Sequence, residues 1–145
     1  MKILIVFRKK KEESWDIVRS VKQKLEEKGH NVDLLSREDD LGIDSLSGSM
    51  GTLKEAIKRR DKEKNYDVIY TQDWSMAFPL LIPERVFEKK HFCFFHNVQE
   101  EGNSRIFQRI VGNMLGGNLL VRKEELKKKF PKSILAFDGI NNIFK

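Results

Sequence analysis

Lys2-Ile3-Leu4-Ile5-Val6-Phe7, read together with Glu27-Lys28-Gly29-His30-Asn31-Val32-Asp33-Leu34-Leu35, decides the fold. The first run is almost wholly apolar, which predicts a strand covered on both faces. Ile17, Val18, Val21 and Leu25 then recur at helical spacing with charges between them. A helix starting near Ser14 is therefore predicted, with Ser14 placed to cap it. Gly29 stands where the chain must leave that helix. Asn31 to Leu35 reads as a second strand. A strand, a helix and a strand in such quick succession require a parallel pair, because only a crossover brings the chain back to the same end of a sheet.

Outward from this unit the alternation continues. Ser36 to Gly51 is polar and without a period, which predicts a long loop. Helical stretches are predicted near Thr52 to Lys64, Ser75 to Phe87, Ser104 to Leu115 and Lys123 to Lys129, with Pro79 and Pro83 interrupting the second. Strands are predicted at Val68 to Thr71, His91 to Phe95, Asn118 to Val121 and Ser133 to Phe137. The fold class expected is α/β: a Rossmann-like, doubly wound, mostly parallel sheet flanked by helices, with residues 1–145 forming a single domain. In such sheets ligands sit in the crevice at the carboxyl ends of the strands. That rule selects Arg8 to Glu13, Ser36 to Met50, Gln72 to Ser75, His96 to Gly102, Arg122, and Asp138 onward.

Composition narrows the function classes. The apolar runs Ile3 to Phe7 and Phe92 to Phe95 are strand-sized and too short to span a bilayer. Met1-Lys2 leads straight into a strand without signal-peptide architecture, and the lone Cys93 has no internal disulfide partner. A cytoplasmic location is the expectation. The net charge of +6 resides in clusters at Arg8 to Lys11, Lys54 to Lys64 and Lys123 to Lys129. Acids lie within or beside each cluster, and aromatics do not alternate with the basic residues. The pattern favours solvated helix faces over a nucleic-acid platform.

The turn after the first strand, Arg8-Lys9-Lys10-Lys11-Glu12-Glu13, contains no glycine. A dinucleotide site needs backbone N–H groups brought close to a pyrophosphate by a Gly-x-Gly-x-x-Gly turn, so no such cofactor is expected. A P-loop is absent, and neither Cys nor His recurs at metal-ligand spacing. Gln72-Asp73-Trp74 follows a strand directly. A carboxylate and an indole there suit a polar ring, by hydrogen bonding and stacking; equally, Asp73 suits a helix cap and Trp74 a core filler. His96-Asn97 ends the central apolar strand, where an imidazole can donate, accept or carry a proton, or can simply be a satisfied structural residue. His30 and His91 fall at the opposite strand ends and are assigned no role.

In order and spacing these segments resemble the N-terminal, acceptor-side half of a GT-B glycosyltransferase of the glycogen-synthase-like, family 4 group. The resemblance covers nearly the whole chain. It is carried by Lys2-Ile3-Leu4-Ile5-Val6, by Glu27-Lys28-Gly29-His30-Asn31-Val32, by Asp67-Val68-Ile69-Tyr70-Thr71-Gln72-Asp73-Trp74 and by Phe94-Phe95-His96-Asn97. Leu119 to Leu126 matches a further strand and helix, with Arg122 in place of the usual Ser. Asp138-Gly139-Ile140-Asn141-Asn142-Ile143-Phe144 resembles the segment leading to the hinge.

The resemblance implies transfer of a sugar from a nucleotide-sugar to an acceptor hydroxyl, with a sugar or lipid-linked acceptor. His96 would be the residue nearest the reaction, contacting or polarising the donor sugar. Asp73, Trp74 and Asn97 would line the acceptor side. Lys9, Lys10 and Lys11 replace the family's glycine pair and would attract phosphate only by charge. The donor domain, with its Glu-x7-Glu motif, has no counterpart here, so the expectation is an isolated half that is inactive without one. The rival expectation is a non-catalytic binding or scaffold subunit with the same fold. Because many acceptors in this group are lipid-linked, a weak contact with anionic membranes is also expected. It would use Lys54, Lys58, Arg59, Lys62 and Lys64, with Leu53 and Ile57 nearby.

Overall fold

The computed structural model describes residues 1–10, 13–42, 48–77, 90–97, 102–137 and 139–140. In chain order these form β1 (Lys2–Phe7), α1 (Glu13–Glu27), β2 (Asn31–Ser36), α2 (Gly48–Glu63), β3 (Val68–Gln72) and α3 (Trp74–Ala77). They continue with β4 (Lys90–Phe95), α4 (Gly102–Leu115), a 3₁₀ turn (Gly116–Asn118), β5 (Leu119–Val121), α5 (Glu124–Lys129) and β6 (Ile134–Leu135). The strands make one sheet in the order β2-β1-β3-β4-β5-β6, and every neighbouring pair is parallel. The chain therefore runs outward from β1 to β2, then reverses to place β3 on the other side of β1. That reversal is the switch point of a doubly wound sheet, where connections diverge and leave a crevice.

The apolar run of β1 is explained by burial on both sides. Ile3, Ile5 and Phe7 point to one face with Tyr70, Phe92 and Phe94, against Val18, Val21 and Leu25 of α1. Leu4 and Val6 point to the other, with Leu35, Leu41 and Ile69. Further along that second face Cys93, Phe95, Leu119 and Val121 meet Ala77, Val111, Leu115, Leu126 and Phe130. At the chain's far end Gly139 has φ 80°. Its carbonyl accepts a 2.5 Å hydrogen bond from the Tyr70 hydroxyl. A Cβ there would come within 2.9 Å of Val21 and 3.0 Å of that hydroxyl, so the site requires glycine on both counts. Asp138 and residues 141–144 lie outside the described residues.

Several boundaries differ from the sequence expectation. Helix α1 starts at Glu13, so Ser14 lies within its first turn rather than capping it. Of the expected loop after β2, residues 37–42 form a turn and residues 43–47 lie outside the described residues, while α2 begins at Gly48, ahead of Thr52. In that turn the Ser36 hydroxyl donates to Asp39 at 2.9 Å and the Ser36 N–H to Asp40 at 2.7 Å. Short Ser and Asp side chains bonding nearby backbone close such turns without a periodic apolar signal. Of the helix expected from Ser75, Trp74–Ala77 is described and 78–89 is not. β6 is shorter than expected, because Ser133 bonds back to the Phe130 carbonyl and Phe137 is 68% exposed.

The largest correction concerns α2. Its charges were expected on a solvated face, but Glu55, Arg59 and Glu63 are buried one turn apart. The Arg59 guanidinium donates to Glu63 at 2.7 Å and to the Met76 carbonyl at 2.6 Å, and lies 3.4 Å from Glu55. Arg37, also buried, approaches Glu55 at 3.5 Å. Burial lowers the Arg37 pKa, opposed by the Glu55 charge, and raises that of Glu55, opposed first by Arg59 and then by Arg37. Arg59 is thus unavailable to a membrane surface. Lys54, Lys58, Arg60, Lys62 and the 61% exposed Ile57 occupy the outer side.

Candidate functional site

Gln72 is the last residue of β3 and is buried. After it the chain turns at Asp73, whose φ of 71° is in the left-handed region that Asp tolerates better than most residues. Hydrogen bonds from both sides hold this turn, among them one from the Cys93 thiol to the Asp73 carbonyl at 3.4 Å. The Asp73 N–H donates to the Phe94 carbonyl at 2.8 Å, extending the β3–β4 ladder. The Asp73 carboxylate accepts from the Trp74 N–H at 2.9 Å, and its carbonyl accepts from the Met76 N–H at 3.2 Å. Asp73 therefore ends a strand and starts α3. Burial pushes its carboxyl above the usual range, partly opposed by the Trp74 N–H.

One strand over, β4 delivers His96. Its Nε2 bonds to the Gln72 side-chain oxygen, and the ring sits edge-on to Phe94 at 4.6 Å. Asn97 follows. Its side-chain oxygen accepts from the Lys123 ammonium at 2.8 Å, and its carbonyl accepts from Gln108 of α4 at 2.9 Å. Arg122 leaves β5 with its N–H on the Phe95 carbonyl at 3.1 Å. Arg8 leaves β1 with its guanidinium 3.6 Å from Glu38.

These strand ends surround one cleft of about 590 Å³. Gln72, Asp73, His96 and Asn97 line it from the β3 and β4 side, and Arg8, Arg122 and Lys123 from the flanks. Phe7, Ile17 and Ser75 complete the wall. The volume falls in the range of small-molecule sites, and the place is the crevice beside the β1/β3 switch point. Family models and curated proteins return no match to this chain. The cleft is therefore read from its own chemistry.

That chemistry includes one imidazole held by an amide, one half-buried carboxyl and three cationic side chains. A buried thiol nearby, Cys93, is pushed strongly upward by burial and is no nucleophile at neutral pH. Among the described residues no group of three His, Cys, Asp or Glu could hold a metal ion.

Of the residues singled out in sequence, His96, Asp73 and Asn97 are brought together here. Trp74 is not. Its indole stacks on Phe107 of α4 at 5.7 Å and packs against the second core cluster. The core-filling alternative describes it, because α3 turns that side chain toward α4. Lys9 and Lys10 do not line the cleft; the Lys10 N–H is tied to Asp39 at 2.9 Å. Lys11 lies outside the described residues. Arg122 replaces those lysines as the basic group on the flank, joined by Arg8 and by Lys123, to which no role was assigned. Lys123's signal was its place two residues past a strand end.

Proposed function

We propose that this chain is the acceptor-binding half of a glycosyltransferase. It would act on a sugar or lipid-linked acceptor while a separate domain holds the nucleotide-sugar. The observation that carries the reading is the convergence of Asp73, His96 and Asn97 on one small-molecule-sized cleft at the strands' carboxyl ends. In this reading His96 faces the reacting sugar, with Gln72 fixing its ring. Asp73 and Asn97 bind acceptor hydroxyls. The glycine-free turn after β1 offers no close backbone approach to a nucleotide's phosphates, so donor affinity must come from the other domain.

Calorimetry on the chain alone tests this division of labour. The expected result is no measurable binding of UDP- or GDP-sugars, and micromolar affinity would overturn it. A second reading, a non-catalytic scaffold subunit, is favoured by the outer face of α4. There Ile106, Ile110 and Met114 stand one turn apart and 57%, 43% and 49% exposed, an arrangement suited to contact with another surface.

A further inference from the structure

A second pocket, of about 140 Å³, lies between α4 and the end of α5 and shares no lining residue with the cleft. The exposed Arg105 and Arg109 reach it from α4 and the exposed Lys129 from α5, over the buried Gln108 and Phe130. Packing forces these charges together. Gly112 of α4 is buried against the Phe130 ring, and a Cβ there would fall 2.3 Å from it. The same ring meets the edge of Phe95 at 5.7 Å. The missing side chain lets the end of α5 close on α4, which sets Lys129 beside two arginines one helical turn apart. Like charges at that spacing repel. Among the described residues none of the three makes an ion pair or a hydrogen bond, and α4 itself contains no acid. Lys127, by contrast, is tied to the Pro131 carbonyl at 2.7 Å.

We infer that the pocket between Arg105, Arg109 and Lys129 is an anion site for a phosphoryl group, either as the free ion or as the end of a larger molecule. Guanidinium groups meet such a group through paired N–H donors, and the ammonium adds a point charge. The space is smaller than sites that enclose a whole organic ligand, so it takes the anionic group and leaves any remainder in solvent. A bound anion relieves the repulsion that the packing imposes. The site stands apart from the cleft, so it holds whether or not the chain is half of a transferase.

Nuclear magnetic resonance titration and thermal unfolding of the whole chain test it, with inorganic phosphate, glucose 1-phosphate and chloride as probes at matched ionic strength. Phosphate should shift the Arg105, Arg109 and Lys129 amide signals saturably and raise the Tm more than chloride does. Phosphate also stabilises proteins generally by exclusion from their surface, so variants supply the comparison. Arg109→Gln and Lys129→Gln should each weaken binding about tenfold, the loss of one charge-assisted hydrogen bond. Lys54→Gln on α2 should leave it unchanged. Without phosphate, Arg109→Gln and Lys129→Gln should be at least as stable as the wild type, because each removes a repelling charge.

Glucose 1-phosphate binding at the same amides would support the site and identify a phosphoryl terminus as its ligand. Binding of inorganic phosphate alone would support it with the free ion as ligand. Shifts that chloride reproduces, that never saturate, or that ignore both variants would overturn the anion site. So would a loss of stability in both variants without phosphate, which would show that these cations serve the fold rather than a ligand.

Discussion

Asp73 carries two burdens at once, a left-handed backbone and a half-buried, desolvated carboxyl. Asn tolerates the same φ and can still accept from the Trp74 N–H, so Asp73→Asn isolates the ionisation. The carboxyl's folded pKa lies above its ordinary 3.8, so the folded chain holds the proton longer than the unfolded one. Stability contributed by the protonated form is therefore full below 3.8 and is lost as pH rises toward the folded value. Urea midpoints should show Asp73→Asn gaining on the wild type across that rise, and parallel curves would contradict the burial argument. Asp73→Ala, losing both the φ tolerance and the cap, should be about 1–2 kcal/mol less stable. Residue identity at the strand ends was legible from sequence, since a polar residue directly after an apolar run is a plain signal. Side-chain direction was not. Nothing in Asp73-Trp74 tells which side of a short helix the indole takes, and Phe107 decides it from a distant part of the chain.

Helix α2 shows where pattern reading misleads. Charged residues at Glu55, Arg59 and Glu63 score as a polar face, yet they are the buried face. The clue was present in the spacing, a Glu-x3-Arg-x3-Glu stripe able to pair along one side of a helix. Hydropathy counts could not separate that stripe from the exposed lysines. Arg59→Ala should lower unfolding stability by about 3–5 kcal/mol, because it removes the buried cation that Glu55 and Glu63 share and breaks its bond to the Met76 carbonyl. Lys62→Ala, on the outer side, should change it by no more than about 0.5 kcal/mol. Denaturation curves read both, and equal small effects would return α2 to a fully solvated helix. We propose that the same outer surface carries the weak membrane contact. Its Lys54, Lys58, Arg60 and Lys62 predict sedimentation with anionic vesicles at low salt alone, and binding to neutral vesicles would contradict that.

Over the whole molecule the sheet was the most legible feature. Strands buried on both faces cannot avoid an unbroken apolar run, and the helices between them set the parallel crossovers. The strand order was less so, because periodicity says nothing of which neighbour a strand chooses. The reversal between β2 and β3 emerges only in the fold, and it opens the cleft beside β1. Among the described residues no helix is long and apolar enough to cross a membrane. In the proposed reading His96 faces the reacting sugar across that cleft. The most direct measurement supplies a donor domain and compares sugar transfer by the wild-type chain and by His96→Ala, with urea unfolding of both. His96→Ala should abolish transfer while shifting stability by less than about 1 kcal/mol, as expected for a half-exposed side chain at a strand end. Transfer at the wild-type rate, or a stability loss of several kcal/mol with transfer surviving in the folded fraction, would contradict it.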